Sequence, residues 1–185
     1  MLHGTLAYLI NKNGDSISCI YRSKKGIRLH PFKTGLYNIE YILNSYAKEI
    51  DTEGNLEELI KYVLKFIKRR MIVFIITDIS GMKSITEDTL KKLSFIHDVM
   101  CINISDALMT GENSFDVDIE KYIPNYILED EKLKKLEIDL KAKIYEDIKS
   151  KFKKYKISTT TINNKDSIIN DIFKLLERRK NENIC

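Results

Sequence analysis

Met71-Ile-Val-Phe-Ile-Ile76, followed by Thr77-Asp78-Ile79-Ser80-Gly81, is the stretch that decides the fold. The run is apolar without alternation, so an extended segment made from it has two apolar faces. That pattern belongs to a fully buried parallel strand with helices on both sides. Working outward, the residues before it predict a helix, because Leu56, Leu59, Ile60, Val63, Leu64 and Ile67 recur at spacings of three and four. The helix closes on Lys68-Arg69-Arg70, whose charges suit the negative end of a helix dipole. Further upstream, Leu36, Ile39, Leu43, Tyr46 and Ile50 predict another helix, and Asp51 to Asn55 separate the two. Downstream, Ser84-Ile-Thr-Glu87 has capping-box spacing and opens a helix through Leu90, Leu93 and His97. Asp98 to Ile104 predict a second buried strand.

The ends extend the same alternation. Leu2 to Ile10 read as a short helix, and Asn13-Gly14-Asp15 as a turn. In Ser16 to Tyr21, Ile17, Cys19 and Tyr21 fall on one face of a strand. The polar turn Ser23-Lys24-Lys25-Gly26 leads to a second strand, Ile27 to His30, giving an antiparallel hairpin that Pro31 ends. Residues Ser105 to Tyr122 are mixed, and Asn125 to Leu128 can form a strand. A long helix from about Asp130 to Tyr155 turns Leu133, Leu136, Leu140, Ile144, Ile148 and Phe152 inward. Glu131–Lys135 and Glu137–Lys141 pair on its outside. Ile157 to Thr161 predict a last strand, and Ile168, Ile169, Ile172, Phe173 and Leu176 the inner face of a last helix ending at Arg178-Arg179. Strand and helix alternate, so the fold class is α/β with a mostly parallel sheet and one antiparallel edge hairpin. No linker or repeat divides residues 1–185, which read as a single domain.

Composition narrows the function classes. The chain has 185 residues, 43% hydrophobic and 31% charged, which is globular and not disordered. That length suits one domain burying roughly 70% of its unfolded surface. Gly at 7 and Pro at 2 leave little room for long irregular loops. No apolar run approaches the ~18 residues of a membrane-spanning helix. Met1 to Ile10 lack the basic residues and cleavage site of a signal peptide. The absence of Trp disfavours a sugar-stacking platform. The 3 cysteines (Cys19, Cys101 and Cys185) have no CxxC neighbour, so neither zinc spacing nor a disulfide framework is present. Cys19 and Cys101 read as buried structural thiols and Cys185 as frayed, which suits a reducing cytoplasm. A nucleophilic cysteine needs a nearby histidine, and sequence distance alone supplies none. The net charge of +4 permits nucleic-acid binding without arguing for it.

Motifs for chemistry are sparse. No Gly-rich phosphate loop, HExxH or GxSxG occurs. His3, His30 and His97 stand apart in sequence, and His97 ends a helix, where a cation caps the dipole. Asp78 holds the most informative position, at the carboxyl end of the most apolar strand, where ligands bind in open α/β sheets. A carboxylate there either holds Mg²⁺ through water or caps the next turn. Asp106, in Ile104-Ser105-Asp106, has a similar place after the next strand. Two such carboxylates can share one cation, but Mg²⁺ needs six oxygens and the rest cannot be named. The basic stretch Lys149-Ser-Lys-Phe-Lys-Lys-Tyr-Lys156 can touch phosphates, yet Phe152 and Tyr155 lie on the inward stripe, so a solvated helix end is the plainer reading.

Several local strings resemble one bacterial family, the domain of unknown function numbered fifty-eight. They are Arg69-Arg-Met-Ile-Val-Phe-Ile-Ile-Thr-Asp-Ile-Ser80, Leu93-Ser-Phe-Ile-His-Asp-Val99 and Ile102-Asn-Ile-Ser-Asp106. Asn13-Gly-Asp15, Asn55-Leu-Glu-Glu-Leu59, Ser158-Thr-Thr-Thr161 and Glu177-Arg-Arg179 add to the likeness. The family is similar to von Willebrand factor A domains, which implies a Rossmann-like three-layer architecture. It is typically encoded beside MoxR-type AAA+ ATPases, which implies a partner that assists them in assembling or activating other proteins. The A-type metal site uses an Asp-x-Ser-x-Ser loop after the first strand, a Thr before the third helix and an Asp after the fourth strand. Asp78 matches the last; the Thr position aligns with Gly54, two residues from Thr52; and the loop and first central strand have no counterpart, because Leu6 to Ile10 matches the later half of the first helix. The resemblance therefore implies an amino-terminally truncated domain with a degenerate metal site, Asp78 its lone remnant, and Mg²⁺ only if the missing loop is supplied.

Two classes of function follow. The first is a non-enzymatic interaction domain, partnered with a MoxR-type ATPase and its client proteins, with no cofactor, no membrane span and no nucleic acid. Its partner surface is expected at the carboxyl end of the sheet, around Ile79 to Lys83, Asp106 to Gly111 and Asp51 to Asn55, with Asn55, Ser80, Lys83 and Asp106 foremost. The second is an enzyme using Asp78 and Asp106 for metal-assisted phosphoryl transfer, and a weaker third is nucleic-acid binding through Lys149 to Lys156. The missing strand also carries a structural expectation. The strands at Ser16–Tyr21 and Met71–Ile76 should close the gap by pairing directly, or borrow a strand from a second molecule, or fold poorly.

Overall fold

The computed structural model describes residues 2–50, 55–104, 115–116, 121–122 and 131–182. In chain order the elements are α1 (Leu2–Lys12), β1 (Ile17–Ser23), β2 (Gly26–Lys33), α2 (Leu36–Glu49), α3 (Leu56–Phe66), β3 (Ile72–Thr77), α4 (Ile79–Ser84), α5 (Glu87–Ile96), β4 (Asp98–Ile104), β5 (Phe115–Asp116), β6 (Lys121–Tyr122), α6 (Glu131–Lys154), β7 (Ser158–Ile162) and α7 (Ile168–Glu182). A parallel sheet has the order β3-β4-β7, with Ile72 opposite Asp98 through Thr77 opposite Asn103, and Met100 opposite Ser158 through Ile104 opposite Ile162. β1 and β2 form a separate antiparallel pair, and β5 and β6 another.

Helices cover both faces of the parallel sheet. On one side Ile75, Val99 and Cys101 meet Ile60 of α3, Met82 of α4, Leu90 and Leu93 of α5, and Ile148 and Phe152 of α6. On the other, Met100, Ile102 and Ile162 meet Leu2 and Leu6 of α1 and Ile168, Ile172 and Leu175 of α7. Leu90, Leu93, Phe152, Ile172 and Leu175 are fully buried. Cutting any of them to Ala costs about 2–5 kcal/mol. Local chemistry sets the helix ends. The Asn55 side chain accepts the Glu57 N–H at 2.9 Å and opens α3. Lys68 Nζ donates to Leu64 O at 2.6 Å at its far end, as the basic triplet predicted.

The apolar stripes shift from their sequence positions. Leu36 is exposed and Ile42 is buried on α2. On α7 the inner row is Ile168, Ile172 and Leu175, while Ile169 and Phe173 face out. On α6, Ile148 and Phe152 are buried but Leu136 and Leu140 are exposed; the Leu133 side chain and the proposed outer pairs lie outside the described side chains. A helix of 24 residues is ~36 Å long, against ~20 Å for strands of five to seven, so its early turns run past the sheet. Pro31 does not end β2: the strand continues to Lys33, and a register shift between the Cys19–His30 and Ile17–Lys33 pairs absorbs the residue that cannot donate. The helix after Ser84 is capped by Thr86, whose hydroxyl accepts from Thr89 N–H, while Ser84 ends the unanticipated helix α4. The suggested strand at Asn125–Leu128 lies outside the described residues.

Two expectations about β3 are corrected. It is an edge strand, with Ile75 its one buried residue and Ile72 62% exposed. Nor do β1 and β3 pair directly, and the hairpin is not an edge of the parallel sheet. β1 is held instead by β2, by α2 and by an isolated bridge from Ser23 to Ile50.

An ion pair locks the amino end of the sheet. Arg179 Nε donates to Asp98 Oδ1 at 2.6 Å, and Arg179 Nη1 donates to Lys156 O at 2.7 Å, tying α7 to β4 and to the turn after α6. The two side chains are 12% and 20% exposed. Breaking a fully buried pair costs about 3–5 kcal/mol, and the residual exposure here lowers that. Asp98→Ala is expected to lower unfolding free energy in urea by about 2–3 kcal/mol.

Candidate functional site

The carboxyl edge of the parallel sheet carries a polar row. Thr77, Asn103 and Thr161 sit opposite one another on β3, β4 and β7. Asn103 is buried; its Nδ2 donates to Thr161 Oγ1 at 3.4 Å, and its Oδ1 has no hydrogen-bond partner among the described residues. An orphaned buried acceptor costs about 1–3 kcal/mol. Sequence reasoning passed over this row because single polar residues inside strands look incidental. Their matching positions in three apolar segments were the available signal.

Asp78 follows Thr77 and is half-buried. Its Oδ1 accepts the Gly81 N–H at 2.6 Å, and its carbonyl accepts Met82 N–H at 3.0 Å, so it is the N-cap of α4. Of the two roles open to it in the sequence, the structure gives it capping. Gly81 is bound to this geometry: a Cβ there would lie 2.0 Å from Thr77 Oγ1.

A second carboxylate is one the sequence did not reveal. Glu57, on the first turn of α3, is buried and holds the start of α5. Its carboxylate accepts Thr89 Oγ1–H at 2.7 Å, Thr86 Oγ1–H at 3.0 Å and Thr86 N–H at 3.1 Å, and Lys61 Nζ lies 3.1 Å away. Burial opposes its ionisation, but the donors from Thr89, Thr86 and Lys61 outweigh burial and bring its pKa down to about 2. Glutamate next to glutamate in a first turn reads as dipole complementation, and nothing local says which of them turns inward.

Asn55, Ser80 and Lys83 are exposed around this framework; Asp106, Thr52 and Gly54 lie outside the described residues. The described side chains do not fit the Mg²⁺ site implied by the resemblance. Asp78 is engaged by Gly81, Glu57 by Thr86, Thr89 and Lys61, and no group of three His, Cys, Asp or Glu among the described residues is placed to hold a metal ion.

The other candidates are drawn into internal contacts. Lys149 pairs with Glu146 at 3.1 Å, Lys151 Nζ donates to Ile85 O, and Lys154 pairs with Glu87 at 2.8 Å. Phe152 is fully buried, and the Tyr155 hydroxyl donates to Glu87. The basic stretch thus docks α6 against the start of α5. His97 is not a capping cation: it is buried, and burial pushes its pKa down against a smaller opposing contribution from the Ile67 backbone. His3 and His30 do converge on one aromatic cluster. His3 packs edge-on against Tyr46, which meets Tyr21, which stacks on His30. His3 Nε2 also lies 3.9 Å from Cys19 Sγ. Burial nevertheless pushes the Cys19 thiol up to about 11 and the Cys101 thiol higher, so neither is an activated nucleophile.

The depressed Glu57 pKa has a definite sign in stability. A carboxyl at about 2 when folded and about 4.5 when unfolded stabilises above the unfolded value and loses that contribution as pH falls toward 2. The full shift corresponds to about 3 kcal/mol. Urea unfolding from pH 5 to pH 2 is expected to show this loss in the native chain, and a shallower fall in Glu57→Gln.

Comparison with known proteins places the sequence. A family described as "Protein of unknown function DUF58" matches residues 2–111, more than half of the chain and everything from α1 to beyond β4. The strings at Ser158–Thr161 and Glu177–Arg179 lie outside that match. No curated protein matches, and no solved structure does. Among the described residues, no helix is long and apolar enough to cross a membrane. By the extent of that match, the chain belongs to the family Protein of unknown function DUF58.

Proposed function

We propose that this chain is a von Willebrand factor A-like interaction domain without chemistry of its own, an accessory partner of a MoxR-type AAA+ ATPase in the assembly or activation of other proteins. One observation carries this reading. The ionisable groups at the carboxyl edge of the sheet hold the framework: Asp78 caps α4, and Glu57 ties α3 to α5. A fixed framework that leaves Asn55, Ser80 and Lys83 exposed suits docking better than turnover. The docking surface comprises those residues, with Asp106 on the adjoining segment. The same reading sets the protein in the cytoplasm, where the free thiols of Cys19 and Cys101 stay reduced.

Purified chain and a MoxR-type ATPase provide the test. Lys83→Glu together with Asn55→Asp is expected to weaken their binding at least tenfold, and Lys149→Glu to leave it unchanged. Unchanged binding in the first variant, with loss in the second, would move the surface to α6. Calorimetry with Mg²⁺ or Mn²⁺ is expected to show no one-to-one site of micromolar affinity. Such a site, abolished by Asp78→Ala, would favour metal-assisted phosphoryl chemistry instead.

A further inference from the structure

Helices α3 and α5 each lead into a strand of the parallel sheet, so both close at its amino edge. They close side by side. The Ile67 backbone lies against the His97 ring, and the Asp98 N–H donates to Met71 O at 2.8 Å. The residues that end α3 and those that end α5 therefore share one surface. Its rings point outward: Phe95 is 91% exposed and Phe66 54%. Its charges have one sign. Lys65, Lys68, Arg69, Arg70 and Lys91 are exposed, and none of them is in an ion pair among the described residues. No Asp or Glu occurs from Tyr62 to Ile72 or from Lys91 to His97. The carboxylate that follows, Asp98, is held by Arg179. The basic end of α6 differs, because Lys149, Lys151 and Lys154 have internal partners. A single exposed ring is ordinary on a protein surface. Two rings among five unpaired cations make a surface of definite chemistry.

We propose that this amino edge docks on an anionic phospholipid surface, with Phe66 and Phe95 entering the headgroup boundary and Lys65, Lys68, Arg69, Arg70 and Lys91 lying over the headgroups. Charge complementarity selects the occupant. The cytoplasmic leaflet carries anionic lipid and attracts clustered Lys and Arg. Apolar rings set among such cations are the composition of surfaces that lie in the membrane interface. A nucleic acid fits this surface less well. Base stacking needs a free ring face, and the Phe66 ring has Tyr62 at 4.4 Å and Lys65 Nζ 5.2 Å from its centroid. A folded protein also fits less well. It would have to offer a matched pocket to each projecting ring, whereas a lipid boundary takes rings in without one. Neither ring lines the cavity of about 420 Å³ between β1 and β3, so they are not the rim of an internal site. The surface stands at the far end of α3 from Asn55, so docking leaves the carboxyl edge free. The inference does not rest on the function proposed for that edge.

The probes are vesicles of phosphatidylglycerol and phosphatidylcholine in equal parts, and vesicles of phosphatidylcholine alone. The full native chain is expected to sediment with the anionic vesicles at an affinity at least tenfold higher than with the neutral ones. Raising NaCl from about 0.1 M to about 0.5 M should release it. Arg69→Glu together with Arg70→Glu should weaken binding at least tenfold. Lys24→Glu together with Lys25→Glu makes the same change of net charge in the β1–β2 turn, beside Arg22 and its partner Glu58 at the other end of α3. That variant should lose less than about threefold. The chain has no Trp, so Phe95→Trp supplies a single reporter, whose emission should move to the blue on anionic vesicles as the ring leaves water. Absent sedimentation, equal sedimentation with both vesicles, equal loss in the two charge variants, or an unshifted tryptophan in vesicle-bound chain would each overturn the proposal. Tighter binding to a single-stranded oligonucleotide than to anionic vesicles, abolished by the Arg69 and Arg70 changes, would assign the surface to nucleic acid instead. The comparison of the two vesicles is made on the native chain, so the outcome does not hang on how a variant folds.

Discussion

Val99, Met100, Cys101 and Ile102 are at most 2% exposed, and the strand that carries them is hydrogen-bonded along both edges. The double burial of β4 is the constraint to which the other elements answer. Its odd-numbered residues call for one helical layer, supplied by α3, α4, α5 and α6, and its even-numbered residues for another, supplied by α1 and α7. Parallel pairing then fixes where β3 and β7 end, and so sets Thr77, Asn103 and Thr161 in one row at the carboxyl edge. At the opposite end Asp98 is held by Arg179, which stops β4 from sliding against α7.

What could be read from the sequence were the features with a period. The alternation of strand and helix, the bounds of the long helix and the mostly parallel character of the sheet all follow from apolar spacing, and each was legible. Helix faces were less so, because a broad stripe such as Ile168, Ile169, Ile172, Phe173 and Leu176 admits more than one inward angle, and the tertiary partner selects it. The early turns of α6 show the same limit. Leu136 and Leu140 keep the period of the buried Ile148 and Phe152, but no sheet extends beneath them. The edge position of β3 was not legible at all: composition reports which faces of a strand can be buried and is silent on which edges are paired.

Polar contacts over long sequence separations were the least legible. Glu57 meets Thr86 and Thr89 about thirty residues away, Lys154 meets Glu87, and Arg179 meets Asp98, and none of these pairs leaves a local trace. Their common effect is to remove charge from the surface readings that composition invites. The run Lys149–Lys156 is basic as a string, yet two of its cations, Lys151 and Lys154, serve to seat α6 on the start of α5. His97 looked like a cap and is a buried ring whose pKa burial lowers; Cys19 lacked a histidine in sequence and has His3 beside it, but burial pushes the thiol up to about 11. Proximity and ionisation state are separate conditions, and a nucleophile requires both.

The carboxyl edge and the space between β1 and β3 are built differently. At the carboxyl edge Asp78 caps α4 and Glu57 ties α3 to the start of α5. Residues of both β1 and β3 line a cavity of about 420 Å³, and no described strand fills it. An apolar strand edge left open is normally blunted by charge, proline or a bulge, because it recruits other chains. β3 has none of these protections: its residues are Ile-Val-Phe-Ile-Ile-Thr, without charge or proline. The hairpin β1–β2 does carry such features, with Pro31 and its register shift, but they lie where β1 pairs with β2. The fold thus concentrates its edge protection where β1 already meets β2, while the composition of β3 is that of a strand suited to burial on both faces.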